Sequence, residues 1–210
     1  IDGCRQVVEN YKPMIDIDPS WEIKKLEEVC EMIKRGITPK YDETSGILVI
    51  NQRCVRDHLI NFDFCRFHNL NEKNIAKEKY LKYGDVLVNS TGVGTLGRVA
   101  QYMDKKNIDS TVDSHVTIVR PKEGYFEDGF FGYLMIMIEN LIMQSGKGSS
   151  GQTELSRVDL SNMKISFPKD LFKQKELVEK LEQEREVIEG NKELIKIYEK
   201  KINDKIKELF

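Results

Sequence analysis

The sequence predicts an α+β fold: a mixed, strand-rich globular domain followed by a long C-terminal helix that forms a coiled coil. Three observations carry this. Five short runs of β-branched or alternating apolar residues are spread over residues 46–168, bounded by Gly, Asp, Asn or Pro. One apolar run, Phe130–Met143, has helical length. From Asp170 to Phe210 there is no proline and one glycine, Gly190, while apolar residues recur every seven positions.

The elements follow in order. Residues 1–20 read as a lead-in or linker, a short helical piece ended by Pro13 and an acidic connector ended by Pro19. The globular domain is expected over residues 21–169. Its strands are GILVIN (46–51), DVLVNS (85–90), RVAQYM (98–103), HVTIVR (115–120) and MKISFP (163–168), the last stopped by Pro168. Phe130–Met143 is expected to be its one long helix, buried, and too short and too polar at Glu139 and Asn140 to span a bilayer. Asp170 is a plausible N-cap for a helix over residues 170–210. Leu181, Ile188, Ile195, Ile202 and Leu209 form one heptad seam. A companion seam keeps Leu177 and Tyr198 but is interrupted by Glu184, Asn191 and Lys205. A helix over this segment extends about 60 Å at roughly 1.5 Å per residue, too long to bury its stripe on its own small domain. It predicts a partner helix.

Composition bounds the function loosely. The net charge of −2 gives no sign of nucleic acid, but the charge is uneven. Residues 1–31 carry 4 basic and 8 acidic side chains, residues 170–210 carry 10 and 11, and the domain between carries 19 and 16. Four cysteines without a signal peptide suggest free thiols in a reducing cytoplasm. The chain opens on Ile1 rather than Met, which suggests a fragment of a larger protein.

Two motifs suggest chemistry. Gly92, Gly94 and Gly97 in LVNSTGVGTLGRV spell the dinucleotide fingerprint G-x-G-x-x-G. That fingerprint needs a helix directly after the loop, whose N-terminus holds the pyrophosphate, and here the β-like RVAQYM follows instead. A tight hairpin fits better, either a plain turn or a loop bringing Ser90, Thr91, Thr95 and Arg98 to a phosphate. Cys54, His58, Cys65 and His68 are spaced C-x3-H-x6-C-x2-H, a conceivable zinc set whose central spacing is shorter than a finger's. No metal or other cofactor is expected. His115 beside Asp113 lacks a nucleophile at recognisable spacing, and there is no P-loop and no methyltransferase motif. The chain is therefore not expected to be an enzyme.

The run KYLKYGDVLVNSTGVGTLGRVAQY (79–102) resembles the L-x-x-G-D-[IV]-L-[VI] core and glycine loop of the DNA specificity subunits of type I restriction–modification systems. Further pieces resemble that family in its own order: WEIKKLEEVCEMIKRGITPKY (21–41), GILVINQRCV (46–55), GKGSSGQTELSRVDLSNMKISFP (146–168) and DLFKQKELVEKL (170–181). This chain has FPKD where the family usually has two prolines before the helix, and GITPKY carries fewer glycines than is typical. The lead-in resembles the connector found where such a domain follows a fused adenine methyltransferase. The resemblance implies one target recognition domain and one spacer helix, half of the family's usual two-unit subunit.

It also implies a function: non-catalytic, sequence-specific reading of one half of a bipartite double-stranded DNA target in the cytoplasm. Methyl transfer and cleavage then belong to adenine methyltransferase and restriction subunits, or to fused domains. The helix is expected to pair with a second copy or a second spacer helix, as a ruler between half-sites. No membrane partner is expected. The alternative is a coiled-coil protein-interaction module without DNA specificity. Groups suited to base edges and phosphates lie on four predicted loops: Arg35, Lys40 and Tyr41; Asn51, Gln52, Arg53 and Arg56; Ser90, Thr91, Thr95 and Arg98; Lys147, Ser149, Ser150 and Gln152.

Overall fold

Of the five apolar runs, those at 46–51, 85–90 and 115–120 become inner strands of two four-stranded sheets, the run at 98–103 becomes an edge strand, and the run at 163–168 pairs with residues 22–25 in a separate two-stranded sheet. The computed structural model describes residues 2–104, 108–148 and 153–209. These divide into two units, residues 17–175 and residues 1–16 together with 176–210. In chain order the elements are α1 (Asp2–Asn10), β1 (Glu22–Lys25), α2 (Leu26–Val29), β2 (Cys30–Arg35), β3 (Tyr41–Asp42) and β4 (Ile47–Ile50). A hairpin follows, β5 (Val55–Arg56) and β6 (Leu59–Ile60), then β7 (Arg66–His68), β8 (Val86–Asn89) and β9 (Val99–Gln101). After β10 (Ser110–Val112) and β11 (Val116–Pro121) come α3 (Phe130–Met137), α4 (Glu139–Gln144) and α5 (Arg157–Ser161). The chain ends with β12 (Lys164–Phe167) and α6 (Leu171–Leu209).

The first sheet has the order β2-β11-β8-β9 and is antiparallel throughout. Every residue of β8 is buried, as are Val116–Arg120 of β11, so both of their faces are covered. That is why they read as continuous apolar runs rather than alternations. Helix α3 packs against β8 and β9. The second sheet has the order β10-β4-β7-β3, with β10 parallel to β4 and the other pairs antiparallel. Met32, Leu87, Ala100 and Ile118 of the first sheet cluster with Ile50 and Val112 of the second in a shared buried core.

Three buried polar residues fix the frame. Asp85 accepts two hydrogen bonds from Arg120, from Nε and Nη2, each 2.7 Å. Arg120 Nη2 also donates to the Tyr80 carbonyl at 2.7 Å, and Asp85 accepts from the Lys82 N–H at 2.8 Å. Burial pushes the Asp85 carboxyl up, and the Arg120 bonds oppose it most. Gln174, also buried, accepts from the Glu127 N–H (2.9 Å) and donates to the Pro168 (2.8 Å) and Tyr125 (3.2 Å) carbonyls.

The expected helix over Phe130–Met143 is two helices. Ile138, at φ −93° and ψ 5°, separates α3 from α4, and of α4 only Ile142 is buried. Glu139 opens α4 and accepts from the Val99 N–H at 3.1 Å, so a residue that looked out of place in an apolar run serves strand β9. The long helix starts as its sequence indicates: Asp170 Oδ1 accepts from the Phe172 N–H at 2.9 Å. Within its own unit, Arg5 of α1 pairs with Glu199 of α6 at 2.6 Å. Along the seam Leu181 and Ile188 are buried and Ile195 is half-buried, whereas Ile202 is 48% exposed. Among the described residues no helix is long and apolar enough to cross a membrane.

Candidate nucleic-acid interface

The glycine loop between β8 and β9 is a turn device. Gly92 (φ 101°), Gly94 (φ 73°) and Gly97 (φ 87°) all take left-handed backbone. The N–H groups of residues 95–98 are engaged inside the loop: Thr95 and Leu96 donate to Gly92, Gly97 to Asn89 and Arg98 to Thr95. Strand β9 follows two residues after Gly97, so no helix N-terminus is there to hold a pyrophosphate. A Cβ at Gly97 would lie 2.3 Å from Met143 Cγ and 2.9 Å from Met143 Cα, so that glycine lets α4 approach the loop.

Loops far apart in sequence meet around this turn. Thr95 Oγ1 donates to Gln52 Oε1 at 3.2 Å, tying the 90–98 loop to the loop after β4. Thr91 bridges in strand fashion to Glu154, and Lys147 and Glu154 exchange both backbone hydrogen bonds at 2.9 Å. Arg35, at the end of β2, reaches the Glu154 carboxylate at 2.7 Å and the Leu155 carbonyl at 3.1 Å. His115, exposed, shares a 2.7 Å hydrogen bond with Thr91 Oγ1. Its N–H donates to Asp113, whose carboxyl burial pushes up.

A second group of cations lies around β7 and the hairpin. Arg66 stacks on the Tyr41 ring, 3.7 Å to its centre, and Arg53 lies 5.0 Å from the centre of the Phe64 ring. Arg53, Arg56 and Lys40 are exposed. The β5–β6 hairpin turns at Asp57 (φ 52°) and His58 (φ 60°), two non-glycine residues in left-handed backbone, as a two-residue primed turn requires. His58 Nε2 meets Glu139 Oε2 at 2.8 Å, which braces the turn.

The structure sorts the predicted groups. Ser90 does not reach the surface: it is buried, bonded to Thr117 Oγ1, because its strand is covered on both faces. Asn51 is committed locally, donating to the Phe64 carbonyl (2.8 Å) and accepting from the Arg53 N–H (2.9 Å). Arg98 donates to the Gly94 carbonyl at 2.8 Å, and Lys147 pairs with Asp159 at 3.0 Å. Ser149, Ser150 and Gln152 lie outside the described residues. The four residues of the zinc spacing do not converge. Cys54 and Cys65 face each other, His58 is held by Glu139, and His68 is buried between the Lys40 N–H (2.9 Å) and the Lys73 carbonyl (2.7 Å). Among the described residues no group of three or more Cys, His, Asp or Glu could hold a metal.

A family model described as "Type I restriction modification DNA specificity domain" matches residues 19–200. The chain belongs to that family. A curated relative, the putative type I restriction enzyme MjaX specificity subunit of Methanocaldococcus jannaschii, is 23% identical over 96% of this chain and 48% of its own length. The HsdS subunit of Thermoanaerobacter tengcongensis has a similar fold, with TM-score 0.61 at 20% identity over 91% of this chain and 44% of that one. The type I S subunit of M. genitalium aligns with TM-score 0.59 at 14% identity, over 90% and 45%. This specificity domain therefore spans about half the length of the relatives it matches.

Within the specificity domain, the motif residues that carry the family resemblance are structural. Asp85 of the G-D pair is the Arg120 partner and Gln174 of the Q-containing helix start is the loop anchor, so neither is free for a ligand. Sequence reasoning missed Arg66 and Glu154. Arg66 and Glu154 sit in short strand pairings without a run to mark them.

Proposed function

We propose that this specificity domain reads one half of a bipartite double-stranded DNA target and catalyses no bond-making itself. The observation that carries the reading is the convergence of residues 35–37, 52, 90–98, 115, 147 and 154 about one glycine turn, with exposed Lys40, Arg53 and Arg56 on neighbouring segments. In this reading Gln52 and Arg53 reach base edges, where amide and guanidinium groups bond in pairs to adenine and guanine. Lys40, Arg56 and Lys147 hold phosphates, and Arg35, Thr91, Thr95 and Arg98 position the loops. The domain is proposed to direct a partner adenine methyltransferase and endonuclease. The exposed Ile202 and Ile206 at the far end of α6 support pairing with a second copy or a second spacer helix, so that helix length sets the gap between half-sites.

Fluorescence anisotropy with duplex DNA across a salt series tests the DNA reading. Log affinity is expected to fall linearly with log salt, and Arg56→Ala to reduce the slope by about 0.9 for a lost phosphate contact. Arg53→Ala is expected to narrow the gap between preferred and other sequences. Absence of salt-dependent binding, with self-association intact, favours the protein-interaction reading instead. Sedimentation equilibrium with and without residues 170–210 tests the helix: loss of a dimer on truncation supports pairing between copies, and a monomer in both forms refutes it.

A further inference from the structure

Between β4 and β7 the chain makes an excursion that begins and ends at a cysteine. Cys54 and Cys65 hold their sulfurs 3.6 Å apart. Cys54 is fully buried in the core shared by the two sheets, and Cys65 is half-buried at its edge. The backbone around them is tied down: Cys54 N–H donates to Asn51 and its carbonyl accepts from Asn61, at 2.9 and 2.8 Å, while Cys65 N–H donates to Phe62 at 3.0 Å. The Asn51 amide closes the base by donating to the Phe64 carbonyl at 2.8 Å. The histidines that would complete a zinc set are engaged elsewhere, which leaves a dithiol without further ligands among the described residues. We infer that Cys54 and Cys65 are a reversible dithiol–disulfide pair that locks the 54–65 excursion when oxidised.

The chemistry balances with hydrogen peroxide as the oxidant. The Cys54 thiolate attacks the O–O bond and becomes a sulfenic acid, and the departing hydroxide takes up a proton as water. The Cys65 sulfur then attacks Cys54, the S–S bond forms, and the hydroxyl leaves as water with the Cys65 proton. Two thiols lose two electrons and two protons in total, and one peroxide becomes two waters. Cys54 is fully buried, so in this scheme peroxide reaches it past the half-buried Cys65. The contact between the two sulfurs holds the Cys54 thiol below the usual range against the opposing effect of burial and pushes Cys65 up, in keeping with Cys54 as the attacking group.

Bond formation draws the sulfurs from 3.6 Å to about 2.05 Å, so the two side chains and the segment they close must adjust. The residues next to them are Arg53 and Phe64, whose cation–ring contact spans the base of the excursion. If this loop meets DNA, which rests on the reading proposed above, closing the bond displaces Arg53 and weakens binding.

The test treats the full chain with hydrogen peroxide, then maps peptides without reduction. The expected product is one crosslinked peptide joining Cys54 to Cys65, lighter by two hydrogens and restored by dithiothreitol. In Cys65→Ser, which keeps the buried Cys54 in place, that product is absent. Recovery of both thiols free, or separate overoxidation of each without a crosslink, overturns the inference. Anisotropy then compares duplex DNA binding by the reduced and oxidised wild type and by peroxide-treated Cys65→Ser. A several-fold loss confined to the oxidised wild type supports the regulatory consequence, and equal affinities refute it while the pair stands. Absence of binding by the reduced protein is a failure of the DNA reading, seen separately from the crosslink.

Discussion

Gly97→Ala and Gly94→Ala, made as a pair, separate the two jobs a glycine can do in this loop. Both positions have left-handed backbone, φ 87° and φ 73°, so each substitution costs about 1–2 kcal/mol for conformation alone. At Gly94 nothing lies within 4 Å of the added Cβ, and the conformational cost is the whole cost. At Gly97 the Cβ lands 2.3 Å from Met143 Cγ and 2.9 Å from both Met143 Cα and N, so α4 must move as well. Overpacking of this kind adds roughly 1–3 kcal/mol. The expected loss is therefore about 1–2 kcal/mol for Gly94→Ala and roughly 2–5 kcal/mol for Gly97→Ala. In a chain of this size, at about 2–4 °C per kcal/mol, the larger loss lowers Tm by roughly 4–20 °C. Urea denaturation followed by circular dichroism measures both losses. The reasoning is refuted if Gly97→Ala proves no more destabilising than Gly94→Ala, because the packing against Met143 is then unimportant.

Other substitutions probe the frame. Arg120→Met strands the buried Asp85 carboxylate and is expected to cost about 3–5 kcal/mol, read as a shift in the urea midpoint. Gln174→Ala leaves the Glu127 N–H and the Pro168 carbonyl without their partner, at roughly 1–3 kcal/mol, with faster hydrogen exchange in the loop before α3. Asp113 is raised above its usual 3.8 by burial, so the folded chain holds its proton to higher pH than the unfolded one. Its contribution to stability is thus present below that value and is lost as pH rises through the folded pKa. Asp113→Asn keeps an acceptor for the His115 N–H and is expected to flatten stability against pH from the usual carboxylate range upward, measured by urea midpoints.

The parts of the fold legible in the sequence are those where burial is two-sided or periodic. Strands β8 and β11 are covered on both faces and so appear as unbroken apolar runs, and α6 announces itself by its heptads. Strand β10 escaped notice because its Ser110–Thr111–Val112 is short and half polar, its hydroxyls satisfied by neighbours rather than water. The split between α3 and α4 had one trace, Glu139, whose carboxylate serves the Val99 N–H and His58 instead of solvent. The β5–β6 turn hid because Asp57 and His58 stand where Asn-Gly is the usual signal.

The candidate site shows the opposite bias. Residue type nominated hydroxyls, amides and guanidiniums on four loops, and type alone does not tell a group that faces a ligand from one that holds the loop. Asn51, Arg98, Thr91 and Arg35 each have a partner within the protein, and Ser90 is inside it. Each such bond fixes a loop in advance, and under the proposed reading the committed groups would lower the entropic cost of recognition without touching the target. Arg53 and Arg66 form a middle class, their guanidiniums resting on the Phe64 and Tyr41 rings. A guanidinium stacked on a ring keeps its planar edge free for a paired acceptor and has fewer rotamers to lose. If the domain reads DNA as proposed, the stacked arginines, one of which sequence reasoning overlooked, are expected to carry more of the base discrimination than the exposed Arg56. Under the proposed reading the salt slope and the sequence preference divide between different residues: Arg56→Ala is expected to change mainly the slope, and Arg53→Ala and Arg66→Ala mainly the preference, both read from anisotropy with duplex DNA.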